Sequence, residues 1–290
     1  MSAAGSEIVF TRHSGSRGFG WLRESYAMFK NARLAWILLL MTYYLMLLFA
    51  DFIPFIGSLA APLLKPVFAV GFLAAAWTQE RGGAPAVRQL FQGFRSNVFA
   101  LCSLGVVFVL GMMIAVGATA AVDGGKLFDL IANPAPQELD QDAVAKRLSD
   151  TLSDSQVQLG MLLAALCAIP TLLALWWAPA LVVFQDAGAF TALGASLRAG
   201  LANWQPLFRY VVAVFFFGGL LPTLAGTLIA LIVPAPVGRA LALALMLPYV
   251  LCFVATLHIS DYVSYRDVFH SDETLAPLAP SLSRERESPR

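Results

Sequence analysis

Six long apolar runs alternate with short polar stretches along the chain. They cover residues 34–50, 55–77, 98–122, 158–184, 207–233 and 238–257. A helix needs roughly 20 apolar residues to cross a bilayer core about 30 Å thick. In lipid, such a run must satisfy its backbone hydrogen bonds within itself, which favours a helix. The pattern therefore predicts an all-α integral membrane protein with six transmembrane helices, and residues 18–265 form its membrane domain.

The connections between the runs group the spans into three hairpins. Asp51–Pro54 joins the first span to the second, and Pro234–Gly238 joins the fifth to the sixth. Connections this short predict antiparallel neighbours. The third and fourth spans are joined instead by a polar segment, residues 123–157. The spans are therefore predicted to pair one with two, three with four, and five with six.

The long connection carries a helical pattern of its own. Val144, Leu148 and Leu152 recur at i, i+4 and i+8. This spacing predicts a short surface helix that begins near Asp140 or Asp142.

An asparagine stands before the first, third and fifth spans, at Asn31, Asn97 and Asn203. Upstream of each, apolar residues fall on one helical face and Arg or Lys falls off it. These stretches predict short amphipathic interfacial helices before spans 1, 3 and 5. Asparagine tolerates the left-handed backbone of a helix C-cap and also caps helix N-termini, so the three are predicted as structural helix-turn residues. The alternative is coincidence, since any six-span protein with basic inner loops looks somewhat repetitive.

The basic residues are distributed unevenly between the two sides of the predicted bundle. If both termini lie inside, the inner segments hold fourteen Lys and Arg and the outer segments hold four. This bias predicts cytoplasmic N- and C-termini and an external loop at 123–157. The basic inner faces are expected to contact anionic lipid headgroups. Residues 1–17 and the polar tail 266–290 are predicted to be disordered.

Composition agrees with a membrane protein and excludes several other classes. The chain is 59% hydrophobic and 13% charged, whereas soluble proteins are about 45–50% apolar and about 25% charged. A net charge of +1 gives no general attraction to nucleic acid. The three cysteines lie within apolar runs without metal-ligand spacing, and no metal or nucleotide motif occurs, so no cofactor is expected. The first 33 residues contain no apolar h-region, so the first span is not predicted to be a cleaved signal peptide.

Three stretches carry a resemblance to a known family: SYAMFKNARLAWILL, DFIPFIGSLAAPLLKPVFAVGFLAAAWTQERGG and APALVVFQDAGAFTALGASLRAGLANWQPLF. They resemble an uncharacterised family of bacterial six-span integral membrane proteins. They are similar, more distantly, to the membrane domain fused to some glycerophosphodiester phosphodiesterases. The resemblance implies a six-helix membrane domain in the bacterial plasma (inner) membrane, and it supplies no catalytic residues. The chain lacks the length and the acid and histidine clusters of a phosphodiesterase domain.

Lys65 is the most unusual residue in the apolar runs. It lies ten residues into the run 55–77, between Pro62 and Pro66. A charge at that depth costs about 2.5–3.5 kcal/mol, and such residues are functional candidates by default. Lys65 is therefore a candidate substrate-binding residue. The alternative is a structural role, in which Lys65 faces a gap or extends to the outer side, with Asp51 or Asp123 as its partner.

Other polar residues give weaker signals. Ser196 and His258 invite comparison with intramembrane serine proteases, but Ser196 precedes the fifth span and is followed by Leu rather than Gly. His258 is interpreted as an interfacial pair with Asp261 at a helix end. Four aromatic residues are candidates to line a cavity, although packing in the core or against lipid is the simpler expectation: Tyr43, Tyr44, Trp176 and Trp177.

Two functions fit these observations. The first is a non-enzymatic membrane protein with a structural, assembly or envelope-homeostasis role, acting through lipid contacts, a membrane-protein partner or a homo-oligomer. The second is a carrier for a small or lipid-like substrate that uses a cavity near Lys65. Proline-interrupted spans favour the carrier, whereas a single identified midspan charge favours the first function.

Overall fold

The structure is a computed structural model that describes residues 8–52, 56–133, 141–234 and 237–270. These ranges are helical and contain no strand. The α-helices, in chain order, are α1 (Arg17–Asn31), α2 (Arg33–Asp51), α3 (Ile56–Glu80), α4 (Val98–Asp123), α5 (Lys126–Ala132), α6 (Gln141–Ser153), α7 (Ser155–Trp176), α8 (Ala178–Phe184), α9 (Ala189–Ala202), α10 (Trp204–Phe215), α11 (Leu221–Ile232) and α12 (Val237–Phe269). A 3₁₀ helix covers Val87–Arg95, and a π-helical turn covers Phe216–Leu220.

Six helical segments within the described ranges are long and apolar enough to cross a membrane. They are Arg33–Ala50, Ala61–Glu80, Val98–Asp123, Ser155–Phe184, Trp204–Ile232 and Val237–Phe269. The prediction of an all-α, six-span membrane protein is confirmed. The fourth span is interrupted at Trp177, where α7 gives way to α8, and the fifth contains the π-helical turn.

A helix precedes each of spans one, three and five, as the amphipathic pattern predicts. These are α1, the 3₁₀ helix and α9. The 3₁₀ helix packs along α3, with Leu90 fully buried and Gly93 against the Val67 carbonyl. Its tight fit to α3 explains why one face of this short segment is so strongly apolar.

The three asparagines occupy three different local structures, and none has the left-handed backbone. Asn31 is the exposed last residue of α1, and the turn falls on Ala32. Asn97 is a true N-cap, since its Oδ1 accepts the Ala100 amide at 3.0 Å. Asn203 is fully buried between α9 and α10, where its Nδ2 donates to the Ala199 carbonyl at 3.1 Å. The shared position in sequence therefore does not correspond to a shared turn.

Small residues set the closest helix contacts. Spans three and four pack along most of their length, and Gly111 on α4 meets Thr171 on α7. Gly105, two turns nearer the start of α4, lies against the backbone of Leu63 on α3. Glycine at such points lets the helix backbones approach closely, as is common in membrane proteins.

The sixth span differs most from its prediction. The apolar run ends at Leu257, but α12 continues to Phe269. The added turns are buried by protein rather than lipid: Ile259, Tyr262, Val263, Tyr265 and Val268 are almost inaccessible. Because neighbouring helices cover this stretch, polar residues are accommodated where a lipid-facing span would have ended.

A cluster of charges surrounds the end of α12, and we call it the basal network: Arg17, Glu24, Glu80, Arg266 and Asp267. Arg266 pairs with Glu80 and with Glu24, and Arg17 pairs with Asp267 and with Glu24. The Asp267 carboxylate also accepts the Trp21 indole N–H at 3.0 Å. Hydrogen bonding to this carboxylate raises the pKa of Arg17. The network ties α1, α3 and α12 together at one end of the bundle, the basal end.

The N-terminal segment is ordered from residue 8, which differs from the prediction of disorder over 1–17. The Thr11 amide donates to the Val268 carbonyl at 2.7 Å, and the His13 amide donates to Asn203 Oδ1 at 2.9 Å. Phe10 packs edge-on against Phe269. Likewise, residues 266–269 of the predicted disordered tail are helical. Residues 1–7 and 271–290 lie outside the described residues.

The opposite end of the bundle, the loop end, carries α5 and α6. Helix α6 confirms the predicted surface helix, with Asp142 in its first turn. Residue 140 lies outside the described ranges. Lys126 pairs with Asp154 at 2.5 Å and joins the start of α5 to the start of α7.

Near the middle of the fifth span, the backbone widens into the π-helical turn. It contains Gly218 and Gly219 and is followed by Pro222. Across from it, Tyr249 Oη on α12 donates to the Phe217 carbonyl at 2.5 Å. A π-turn leaves carbonyls without their usual helical partners, and this hydroxyl satisfies one of them.

The close contact at Gly105 yields a first prediction. In Gly105→Ala, the added methyl group would overlap the Leu63 carbonyl oxygen, so α3 and α4 must move apart at a cost of about 1–3 kcal/mol. The matched control is Gly117→Ala on the same helix, where an added methyl group meets nothing within 4 Å. Thermal unfolding of the detergent-purified proteins should show a lower midpoint for Gly105→Ala than for Gly117→Ala. Equal midpoints would contradict the packing described here.

The basal network yields a second prediction. Arg266→Met removes the cation shared by Glu24 and Glu80 while keeping the aliphatic stem. Because both carboxylates are partly exposed, we expect a loss of about 1–3 kcal/mol rather than the larger cost of a fully buried pair. Arg239→Met, at an exposed position on the first turn of α12, is the control and should unfold like the wild type. If Arg266→Met also unfolds like the wild type, the network does not stabilise the bundle.

Candidate functional site

Lys65 lies on the wall of a cavity of about 320 Å³ inside the helical bundle. Spans two to six all contribute to the wall. The lining residues are Pro62, Lys65, Pro66, Ala69, Leu73, Phe108, Leu172, Leu175, Trp176, Pro179, Ala180, Tyr210, Leu257 and Asp261. Most of these side chains are apolar, and the volume falls at the small end of the range for small-molecule pockets, about 300–1,000 Å³.

Two opposite charges face this cavity. Lys65 on α3 is exposed to it, and its Nζ lies 5.1 Å from the centre of the Phe108 ring. Asp261 on α12 lines the same space. In these two described residues, the Lys65 nitrogen lies more than 4.0 Å from the Asp261 carboxylate oxygens. A cation and an anion therefore border one apolar cavity without neutralising each other by direct contact.

Local backbone features place Lys65 here. Pro62 and Pro66 lie within α3 on either side of it. Pro66 has no amide hydrogen, so the Pro62 carbonyl one turn earlier loses its helical partner. Both prolines line the cavity, so this unpaired carbonyl belongs to a lining residue.

Of the two predicted partners of Lys65, Asp123 is bound elsewhere. Its Oδ1 accepts the Gly125 amide at 2.7 Å and its Oδ2 accepts the Leu127 amide at 3.0 Å, at the start of the loop end. The side chain of residue 51 is not among those described. Asp261 was missed because it stands 196 positions from Lys65 in the sequence and was assigned to the end of its helix.

His258 and Asp261 do form the predicted pair, but in another setting. His258 Nδ1 lies 4.0 Å from Asp261 Oδ2. The imidazole stacks on Phe72, with ring centres 3.8 Å apart and planes at 6°, and Tyr43 meets it edge-on. The pair therefore lies inside the bundle, packed against α2 and α3, rather than at an interfacial helix end.

The aromatic part of the wall is built by Trp176 and Tyr210, whose ring centres are 5.6 Å apart. Tyr210 Oη lies 2.6 Å from Ser260 Oγ, which fixes its position. The buried Nε1 of Trp176 has no hydrogen-bond partner among the described residues. Trp177, by contrast, is buried away from the cavity, and its indole N–H donates to Ser264 Oγ at 3.1 Å. Of the four candidate aromatic residues, Trp176 is the one that lines the cavity.

Ser196 has a structural role. Its hydroxyl donates to the Leu173 carbonyl at 2.7 Å and accepts the Trp177 amide at 3.0 Å. Both groups belong to the break between α7 and α8. The serine thus satisfies the backbone groups that the interruption of the fourth span leaves unpaired. Among the described residues, no group of three or more His, Cys, Asp or Glu is positioned to hold a metal ion.

Fold and site together define a six-span, all-helical membrane protein with a charged cavity inside its bundle. The chain is 28% identical over 275 residues to a Burkholderia thailandensis protein described as a probable inner membrane protein; the alignment covers 93% of this chain and 97% of the relative. No family model and no solved structure matches the chain. The relative and the six apolar helices support a bacterial inner-membrane location. The more distant resemblance to phosphodiesterase-fused membrane domains stays a prediction.

The aromatic wall yields a third prediction. Tyr210→Phe removes the buried hydroxyl that contacts Ser260, and we expect a loss of about 1 kcal/mol. Ser260 still donates to the Leu257 carbonyl at 2.7 Å, so the loss should not be larger. Tyr44→Phe, at a tyrosine 45% exposed, should leave the unfolding midpoint unchanged. Indistinguishable midpoints for the two variants would show that the Tyr210–Ser260 contact contributes nothing.

Proposed function

We propose that the protein is a non-enzymatic inner-membrane carrier that binds one amphipathic, lipid-like molecule in the cavity beside Lys65. The observation that carries this proposal is the pair of opposite charges, Lys65 and Asp261, on the wall of one apolar cavity. The structural or assembly role predicted first from the sequence ranks second, because the cavity supplies a ligand-sized space with polar groups that converge on it.

The energetic cost of the two charges supports a ligand. Charged residues within transmembrane segments are expensive and are usually found facing a cavity or a partner. A direct ion pair would offset part of that cost, yet Lys65 contacts the Phe108 ring and Asp261 contacts His258. The arrangement keeps both charges accessible from the cavity. A polar group that enters the cavity gains two strong interactions in a weakly polar setting.

The chemistry of the wall supports binding rather than catalysis. The lining residues include no serine, threonine or cysteine. The one hydroxyl among them, on Tyr210, is held by Ser260. A nucleophile next to a base, the arrangement that covalent catalysis requires, is not found among these residues. We therefore propose no chemical step for the ligand.

We also propose that the basal end faces the cytoplasm. The support is the excess of Lys and Arg in the predicted inner segments of the sequence, fourteen against four, and the tendency of such residues to stay on the cytoplasmic side. Arg23, Lys30 and Arg33 are exposed on or beside α1. In this orientation they reach the layer of anionic headgroups, where each basic residue adds about 1 kcal/mol to membrane attraction.

Filling the cavity tests the proposed function without altering its charges, and this is the fourth prediction. Ala69 lines the cavity, so Ala69→Phe should occlude it and abolish co-purification of a lipid-like ligand, as measured by native mass spectrometry. Lys65→Met should also reduce ligand occupancy. The control is Ala120→Phe, on an exposed part of α4.

All three variants must elute as single species in size-exclusion chromatography before their ligand content is compared. If Ala69→Phe retains the same bound molecules as Ala120→Phe and the wild type, the cavity is not the binding site and the proposed function is wrong.

A further inference from the structure

We propose that the ligand is a zwitterionic phospholipid, whose phosphate lies at Lys65 and whose amine lies at Asp261. This inference rests on the proposed function and names its substrate class. It begins from the signs of the charges: Lys65 is the cation and Asp261 the anion on one cavity wall.

A ligand that carries charge of only one sign fits this wall poorly. A purely anionic headgroup gains an interaction with Lys65 but brings a like charge towards Asp261. A simple amine has the reverse problem. In a weakly polar environment such repulsion is costly. A headgroup that carries both charges neutralises both residues at once, since it replaces the direct ion pair that they do not form.

Other groups around the cavity suit the amine end of such a headgroup. Phe108, Trp176 and Tyr210 present aromatic rings to the space, and aromatic faces attract alkylammonium groups. His258, 4.0 Å from Asp261, borders the amine end.

Size and access indicate how the lipid sits. A volume of about 320 Å³ accommodates a headgroup rather than a pair of acyl chains. Leu172 lines the cavity and is 44% exposed, so the cavity opens on that side to the surroundings of the bundle. We place the headgroup inside and the acyl chains outside, against the apolar helix surfaces in the bilayer.

The test compares two lipids that differ only in their headgroup, one zwitterionic and one anionic. Phosphatidylethanolamine and phosphatidylglycerol with identical acyl chains are titrated into the delipidated, detergent-purified protein, and bound lipid is counted by native mass spectrometry. We expect the wild type to bind phosphatidylethanolamine at least about tenfold more tightly, the scale of one well-placed charge interaction. Asp261→Asn should remove this preference, and Lys65→Met should weaken the binding of both lipids.

A charge exchange separates recognition from folding. The double variant Lys65→Asp with Asp261→Lys offers the same two charges in reversed positions, so it should recover preference for phosphatidylethanolamine that each single change loses. Trp176→Leu should weaken phosphatidylethanolamine binding several-fold, because it removes one aromatic face from the cavity wall. Trp77→Leu is its matched control, because Trp77 is also a partly buried tryptophan but is not among the lining residues.

Three outcomes would overturn the inference. If the wild type binds phosphatidylglycerol as tightly and Asp261→Asn changes nothing, the cavity is a site for anionic lipids; the proposed function then stands and the zwitterion does not. If soluble glycerophosphoethanolamine binds as tightly as the whole lipid, the ligand is a free solute rather than a phospholipid. If the Ala69→Phe variant binds both lipids as tightly as the wild type does, the cavity binds no lipid and both proposals fail.

Discussion

The bundle depends on how the last third of α12 is accommodated. This stretch carries Arg266 and Asp267 beyond the apolar run, yet protein surrounds it on nearly all sides. Charges in such a place are tolerated when they are paired and hydrogen-bonded. Glu24 and Glu80 supply the anions, and Arg17 supplies the second cation. Because Asp261 lies little more than one turn before Arg266, the seating of this helix end also sets where the acidic side of the cavity falls.

The parts of this fold that the sequence predicts are those set by the solvent. A lipid environment requires long apolar helices, so the spans and their pairing follow from run lengths and from the short connections at 51–54 and 234–238. Helix α6 follows from periodicity in the same way. The extension of α12 to Phe269 does not follow, because the rule that polar residues end a span assumes lipid around them. Here Tyr262, Tyr265 and Val268 are covered by other helices.

The sequence predicts one of the two charged residues of the site. Lys65 was identifiable because a charge within an apolar run is costly whatever its neighbours are. Its counterpart was not, because Asp261 reaches the cavity through the tertiary arrangement of α3 and α12, which lie far apart in sequence. The asparagines show the converse. Asn31, Asn97 and Asn203 look equivalent in sequence, but the first is exposed at a helix end, the second caps a helix and the third is buried.

The contacts between the N-terminal segment and α12 have a consequence for how the protein is made. Thr11 and His13 contact Val268 and Asn203, and Arg17 contacts Asp267. None of the contacts to α12 can form until that helix has been synthesised. During synthesis, the N-terminal segment therefore lacks these contacts until the sixth span has been made. The basal network forms only after that step. A product truncated before α12 leaves Arg17 and Glu24 without their partners on that helix, so the basal network cannot close.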